Sequence, residues 1–497
     1  MSPATIQFLS PSPETIFIGE VPLRRYLREH DLGWVIRLRA ELEAADLSAL
    51  IAAYDPLGRR AIHPVVMLGL VFYGIIERHS SLRSLEKLAQ RDVGAWWLTG
   101  GLQPDHSTIG EFLRRHAAEL TESFFITLTS QLCRQLKLTA GTVAGDGTVI
   151  EAAASHYRLL QAEAAREAAS QAPDDARAQT TAAIATERAA ERRARGEDPG
   201  KVQLSPTEPE ARVQKQKNNT YRPSYKPSVL AHESGLIVGQ RVEPGAEAAV
   251  LPDLLEQHTA VLGALPQRTL LDAGYHTHEV LGLFVSLELD VLCPAGATTA
   301  AGRWRKQGAR GRYGKADFVY DEARDEYACP AGQRLRYRGA SRNRDGLCYR
   351  AYRGAPCATC AQRGRCTTAK AGRVLYRFEG DEWKEAMRQV LAQPAARHAY
   401  ARRRALVEPV FAELRERQGL TRFRRRGLVG VRLEFALHCT AYNLKRTLRQ
   451  TAPFSTFFTL FVGLWRTPQG VWRLVGLIVR LPKQNASAVF VHLEKWL

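Results

Sequence analysis

The sequence predicts a multi-domain α/β protein: a helical N-terminal domain ahead of a mixed-sheet core that carries helical and cysteine-containing insertions. Three observations predict it. Apolar residues recur with a helical period through about residue 140. From 142 to 293 the pattern changes to strand, hairpin, helix, strand, helix, strand. At 497 residues the chain exceeds what one core usually holds, while 45% hydrophobic and 24% charged residues exclude wholesale disorder and a polytopic membrane protein.

Taken in order, His63-Pro64 starts a largely buried helix through Ile76, because proline is tolerated in a first helical turn. A second helix covers about 81–91. A third follows Pro104-Asp105-His106-Ser107, where Thr108 and Glu111 fit a capping box and Phe112, Leu120, Phe124 and Leu128 form an apolar stripe. Asp105 and His106 read as a turn ahead of that cap. The segment 142–150 is short, β-branched and broken by glycine, a buried strand holding one carboxylate, Asp146. Alanine, glutamate and arginine then dominate 151–195, which predicts a helical hairpin inserted in the fold.

Residues 224–232 and 236–242 alternate with period two around a Glu-Ser-Gly turn and predict a β-hairpin. A helix over 246–261, a strand over 268–276 with Asp272 inside it, a helix over 277–287 and a strand over 290–293 complete the pattern. The resulting division is 1–138 (helical), 139–293 (first part of the core, with the helical insertion at about 151–220), 294–380 (basic, Cys-bearing insertion), 381–450 (closing helices) and 451–497 (an apolar tail of no recognisable role).

Charge is distributed unevenly. The formal net charge is +19, yet residues 1–300 carry 30 basic and 36 acidic side chains, and residues 301–497 carry 40 and 15. A polyanion is the partner this favours, and arginine's planar fork suits phosphate. Eight cysteines are too few for a secreted disulfide framework. The N-terminus lacks the basic and long apolar runs of a signal peptide. The apolar stretch 454–465 is too short and too hydroxylated to span a bilayer. Together these predict a cytoplasmic protein with no membrane partner.

Burying a carboxylate in an apolar strand is costly unless it is paired or binds a metal, which singles out Asp146 and Asp272. Gly274 lets the chain turn beneath Asp272. A third acid stands on the helix from His398 to Arg415, where Tyr400, Arg404, Glu408 and Arg415 share one face at about 3.6 residues per turn. Pro409 predicts a kink or helix start beside Glu408. Three such acids suit two divalent ions of the kind used in phosphoryl transfer, and Mg²⁺ suits oxygen ligands.

The order and spacing of several motifs are similar to those of bacterial insertion-sequence transposases of the DDE type. These are Pro104-Asp-His-Ser-Thr-Ile109 with Phe112-Leu-Arg-Arg-His116, Gly145-Asp146-Gly-Thr, Leu271-Asp272-Ala-Gly-Tyr275, Glu408-Pro-Val-Phe, Arg422-Phe423, Arg426-Gly427 and Asn443-Leu-Lys445. The resemblance implies an RNase H-like catalytic core, with Asp146, Asp272 and Glu408 holding two Mg²⁺ or Mn²⁺ ions. Glu413 is the alternative third acid. The family's Tyr-Arg-Glu-Lys signature falls on Tyr400, Arg403 or Arg404, and Glu408, with Arg415 where the family has Lys. The resemblance also implies double-stranded DNA as partner (the element's terminal inverted repeats and the target), end recognition by the N-terminal domain, a homodimer on DNA and a bacterial, nucleoid-associated protein. Rival readings are a metal-dependent nuclease on the same fold and a non-catalytic DNA-binding regulator.

Two further features lie in the basic part. Cys357-Ala-Thr-Cys360, Cys366 and Cys329 fit either a structural Zn²⁺ site or reduced structural cysteines, with Cys348 competing as the fourth ligand. Basic residues interleaved with aromatics, Arg303-Trp304-Arg-Lys306, Arg310-Gly-Arg-Tyr313 and Arg334-Leu-Arg-Tyr337-Arg338, read as a phosphate-tracking surface. The run Arg422, Arg424, Arg425 and Arg426 reads as a DNA contact beside the active site.

Overall fold

A computed structural model describes residues 6–55, 60–216, 219–245, 247–295, 313–343, 348–354, 357 and 359–450. The tail 451–497 and the basic stretches at 303–306 and 310–312 lie outside the described residues. The chain divides into two compact units, Met1–Leu444 and Lys445–Leu497. The first contains the N-terminal helices, the core sheet and the cysteine-bearing segment.

The main helices of the N-terminal region are α1 (Leu23–Glu29), α2 (Gly33–Glu43), α3 (Pro64–Ile76), α4 (Leu82–Arg91), α5 (Val93–Thr99), α6 (His106–Arg115) and α7 (Ser123–Gln135). Every residue of α3 is buried, so it is the central helix; Pro64 starts it, and His63 Nδ1 accepts from the Val65 N–H at 3.2 Å. The predicted cap of α6 is displaced. Asp105, not Thr108, is the N-cap and accepts from the Thr108 N–H at 2.6 Å, while Glu111 pairs instead with Arg114. Asp105 supplies an ionised acceptor at the helix N-terminus, so the chain is already helical at Thr108.

The core sheet contains β1 (Thr142–Gly147), β2 (Tyr221–His232), β3 (Ile237–Glu243), β4 (Arg268–Leu270) and β5 (Asp290–Leu292), in the spatial order β3-β2-β1-β4-β5. β2 runs antiparallel to β1 and β3, and β4 runs parallel to β1 and β5. This is the RNase H-like arrangement. Short strands Ile150–Glu151 and Arg212–Lys215 pair with the first half of β2.

Side chains alternate across this sheet as the period of two requires. Ala144, Val229, Ala231, Ile237 and Leu270 enter one buried cluster with Val407, Val410, Leu414 and Phe435. Val143, Leu230, Val238 and Leu271 enter another with Leu254, Leu281 and Phe284. Those last three residues lie on α10 (Leu251–Leu262) and α11 (His278–Ser286), which therefore cover the second face. The helical insertion is a hairpin of α8 (Ala162–Gln171) and α9 (Ala176–Ala194) with a small core of its own around Ala165, Ala185 and Leu204.

The strand predicted over 268–276 is shorter. β4 ends at Leu270 and Asp272 caps a 3₁₀ turn, Ala273–Tyr275, because its carboxylate accepts from the Gly274 N–H at 2.8 Å. The cysteine-bearing segment is also more ordered than its composition implies. It is an antiparallel meander of β6 (Val319–Asp321), β7 (Glu326–Ala328), β8 (Arg334–Arg342), β9 (Cys348–Gly354) and β10 (Val374–Phe378) over a core of Phe318, Tyr327, Leu335, Tyr352 and Leu375.

The closing helices are α12 (Asp381–Ala392), α13 (Pro394–Ala412) and α14 (Gly427–Gln450). The predicted kink at Pro409 is absent: α13 runs through it and widens afterwards into a π turn, Glu413–Arg417. Proline removes one backbone donor; beyond it the Glu413 N–H is shared between the carbonyls of Pro409 and Val410, and the ladder lengthens only where the Gln418 N–H reaches the Glu413 carbonyl five residues back at 2.9 Å. Among the described residues no helix is long and apolar enough to cross a membrane.

Asn443 ties α14 to the sheet. Its Oδ1 accepts from the Ile237 N–H and its Nδ2 donates to the Ile237 carbonyl, both at 2.8 Å and fully buried. Replacing Asn443 by Ala orphans both backbone groups, at about 1–3 kcal/mol each. Chemical denaturation of N443A is expected to show a loss of about 2–6 kcal/mol.

Candidate active site

Asp146 and Asp272 come together at one edge of the core sheet. In the parallel β1–β4 ladder Leu270 stands opposite Ala144, and each aspartate lies two residues further along the chain. Close approach needs small residues there. A Cβ on Gly145 would meet Leu271 Cδ2 at 2.6 Å, and one on Gly274 would meet Asp272 Oδ1 at 3.0 Å. Gly274 is therefore required by proximity rather than by a left-handed backbone.

A guanidinium meets the pair. Arg403 on α13 sits 2.9 Å from Asp146 Oδ1 and donates to the Gly145 carbonyl at 3.1 Å, with its side chain only 11% exposed. Its partner is nonetheless displaced upward in pKa: burial raises Asp146, Arg403 opposes this, and the Asp272 charge adds to the rise.

Sequence reasoning missed a third acid at this edge. Glu247, in the 3₁₀ turn before α10, packs against Gly147, where a Cβ would meet its Cδ at 2.6 Å. Lys226 Nζ lies 3.6 Å away. Burial raises its pKa, Lys226 opposes, and both aspartates raise it further. Nothing in the Gly-Ala-Glu-Ala context marks this glutamate; only the hairpin geometry brings it in. Tyr275 is fully buried beside the three acids, its pKa raised by burial and then by Glu247, Asp272 and Asp146, with Ser228 opposing. Tyr400 is half-buried and raised by burial first, with Arg403 opposing and the Cys293 thiol and both aspartates adding to the rise.

Glu408 stands apart from this group. Its side chain is 64% exposed and pairs with Arg404, itself 82% exposed, at 3.1 Å. The inward stripe of α13 and its continuation is Arg403, Val407, Val410 and Leu414, spaced i, i+4, i+7, i+11, and a residue five positions from Arg403 points about 140° away. The face shared by Tyr400, Arg404 and Glu408 is thus largely outward, and the arginine that reaches Asp146 is Arg403. Glu413 pairs with Arg417 at 3.5 Å in the π turn, which also lets Arg415 donate to Thr148 Oγ1 at 2.8 Å, just beyond Asp146. Among the described residues no group of three or more His, Cys, Asp or Glu is arranged to hold a metal ion.

The arginine run divides. Arg422 donates to the Ala152 and Ala154 carbonyls at 3.1 and 2.8 Å, and Arg425 is turned inward, where burial lowers its pKa. The Arg424 and Arg425 N–H groups bind the buried Glu434 carboxylate. Arg424 reaches Ser80, and Arg426 is exposed. On the Cys-bearing sheet, Arg336 and Arg353 are directly opposed across β8 and β9, and both are exposed with Arg338 and Arg342. Like charges placed opposite one another are unfavourable without an anionic partner.

Residues 328–448 match the family model described as Transposase DDE domain, and residues 27–115 match one described as Transposase domain (DUF772). The two matches support a DDE-type insertion-sequence transposase. No curated protein matches it. In this transposase the DDE-domain match contains Glu408 and Cys329, Cys357, Cys360 and Cys366 but begins beyond Asp146 and Asp272, so the pairing of those aspartates rests on the sheet geometry.

Removing the Arg403 guanidinium takes away the main influence that lowers the Asp146 pKa. Carboxylate titration by NMR is expected to show Asp146 shifted further upward in R403A and unmoved in R404A; equal shifts would reverse the assignment of the two arginines.

Proposed function

We propose that this transposase cleaves phosphodiester bonds at the ends of its own element and joins the freed 3′-hydroxyls to target DNA. The observation that carries this reading is the pair of carboxylates at matched positions beside adjacent parallel strands, Asp146 and Asp272, met by the Arg403 guanidinium. Water attacks the phosphorus at an element end, leaving a 3′-hydroxyl; that hydroxyl attacks a phosphodiester of the target, and the displaced target 3′-oxygen leaves with a proton.

The residues fit divalent cations. Their donors are carboxylate oxygens, which suit hard ions, and the raised pKa of Asp146 and of Glu247 reflects burial and negative charge that Arg403 and Lys226 only partly offset. Asp146 and Asp272, with Glu408 as the family resemblance implies, would hold two Mg²⁺ or Mn²⁺ ions, which would activate the attacking oxygen and stabilise the leaving one. Glu247 competes with Glu408 for the third place, since it already faces both aspartates. Arg403 holds the Asp146 carboxylate in one orientation, and Arg415 anchors Thr148 next to it. Tyr400 borders the site. Phosphate contacts fall to the exposed Arg404, Arg424 and Arg426 and to the basic face of β8 and β9. Arg422 and Arg425 shape the loop that presents them. In this division of labour 1–138 binds the element ends, and 139–293 with 381–450 forms the catalytic core that 294–380 interrupts. Two copies hold two ends on DNA.

Strand transfer with pre-cleaved ends tests the chemistry. D146A and D272A are expected to reduce cleavage and joining to background while DNA binding persists, and full activity in either variant removes that residue from the site. E408Q and E247Q, assayed side by side, identify the third acid as the one whose loss abolishes both steps. Cleavage without joining by the unaltered protein overturns the transposase reading in favour of a nuclease.

The basic sheet face yields a separate outcome. R336A/R353A is expected to weaken DNA binding uniformly across sequences and to reduce the slope of log affinity against log salt by about 2, measured by fluorescence anisotropy.

A further inference from the structure

We propose that Cys329, Cys357, Cys360 and Cys366 form a structural Zn²⁺ site that closes one end of the five-stranded sheet. These four thiols, and not that of Cys348, line a single pocket together with Phe318 and Arg373. Cys348 is exposed at the start of β9, at the opposite end of that strand from Gly354. Five cysteines are therefore sorted by topology into four and one, which spacing along the chain leaves open.

The local backbone is shaped for thiolates. In the Cys329-Pro-Ala-Gly turn, Gly332 has φ +75° and its N–H returns to the Cys329 carbonyl at 2.9 Å. The Cys329 N–H bonds to the Gln333 carbonyl at 2.7 Å, and the Gln333 N–H donates to Cys329 Sγ at 3.3 Å. Cys357 Sγ receives the Arg373 N–H at 3.5 Å. Gly354 and Gly372 make room for it: a Cβ on Gly354 would lie 3.1 Å from Cys357 Sγ, and one on Gly372 only 2.9 Å from Cys357 Cβ.

Charge at the pocket points the same way. Arg373 Nε is buried with no hydrogen-bond partner among the described residues. Arg363 donates to the Cys357 carbonyl at 2.9 Å. Four thiolates around Zn²⁺ carry a net charge of −2, which two adjacent guanidiniums offset. The sheet also needs a staple: five buried side chains form its core, and small folds with so little buried apolar surface commonly depend on metals or disulfides. The sulfurs border the pocket but are not at ligand spacing. Binding draws them to about 2.3 Å from the ion and releases four protons, one from each thiol.

The site is independent of the transposition reading and is tested without activity. The full chain is purified without chelator, its metals are quantified, and its thiols are titrated. The expected result is about one zinc per chain, released when a mercurial caps the thiols, retained in C348S and lost in C357S and in C360S. A folded wild-type chain without zinc, with all four thiols freely reactive or joined as disulfides, overturns the proposal, as does iron in place of zinc or loss of the metal in C348S. The wild-type measurement decides even where a cysteine variant fails to fold.

Discussion

The site depends on an electrostatic imbalance. Asp146 and Asp272 lie at the ends of neighbouring parallel strands of an apolar sheet, Glu247 leans in from the turn before α10, and burial pushes Asp146 and Glu247 towards their neutral forms. Transfer of carboxylates out of water costs several kcal/mol each unless charge of the opposite sign is close. Arg403 and Lys226 supply part of it. The glycines at 145, 147 and 274 keep the three acids close, since added Cβ atoms would meet Leu271, Glu247 and Asp272 itself. Relief of that repulsion by added positive charge is what the arrangement favours, and it explains why the most buried segment of the sheet ends in its most polar one.

Much of this was legible in the residues. Asp146 and Asp272 stand out because a carboxylate among β-branched neighbours is anomalous, and the period-two hairpin and intervening helices specify a mixed sheet. Strand order follows from those elements once the parallel connections through α10 and α11 are made. Glu247 was not legible because its neighbours are small and it enters the site only through a three-dimensional turn. The cysteine-bearing sheet escaped notice for a different reason. Its core is tyrosine-rich, with Tyr327 and Tyr352 at the centre, and arginines occupy the alternate positions, so the apolar count of each strand falls below what marks a strand in isolation. For α13 the difficulty was phase. Grouping Tyr400 with Arg404 and Glu408 is correct helical geometry, but the apolar stripe Val407, Val410 and Leu414 decides which face turns inward, and it selects Arg403.

The positive charge is likewise less uniform than its total. Arg39 donates to the Trp97 and Leu98 carbonyls, Arg188 to those of Glu210 and Ala211, and Arg422 to those of Ala152 and Ala154. Such arginines close the ends of helices and strands, where carbonyls lack partners, and Arg39 and Arg188 are buried away from phosphate. Among the described residues exposed arginines stand on β8 and β9 and at Arg404 and Arg426, the first within the segment that holds the cysteines and the second on the loops and helix flanking the acids.

Pair energetics bear on the third acid. The Arg403–Asp146 pair is mostly buried, so separating it strands a charge. The Arg404–Glu408 pair is exposed, and such pairs contribute about 0–1 kcal/mol. Glu408 is also the residue before Pro409, which gives no backbone hydrogen bond to the preceding turn, and the helix beyond is already widened into a π turn. This stretch of α13 is therefore the least constrained part of the site. Phosphate competing for Arg404 would free Glu408 at little cost while leaving Arg403 on Asp146, but bringing Glu408 to the aspartates also requires the outward face of α13 to turn. Glu247 needs no such change. The two glutamates thus differ in placement: Glu247 is held beside the aspartates by the folded chain alone, and Glu408 stands on the outward face of α13.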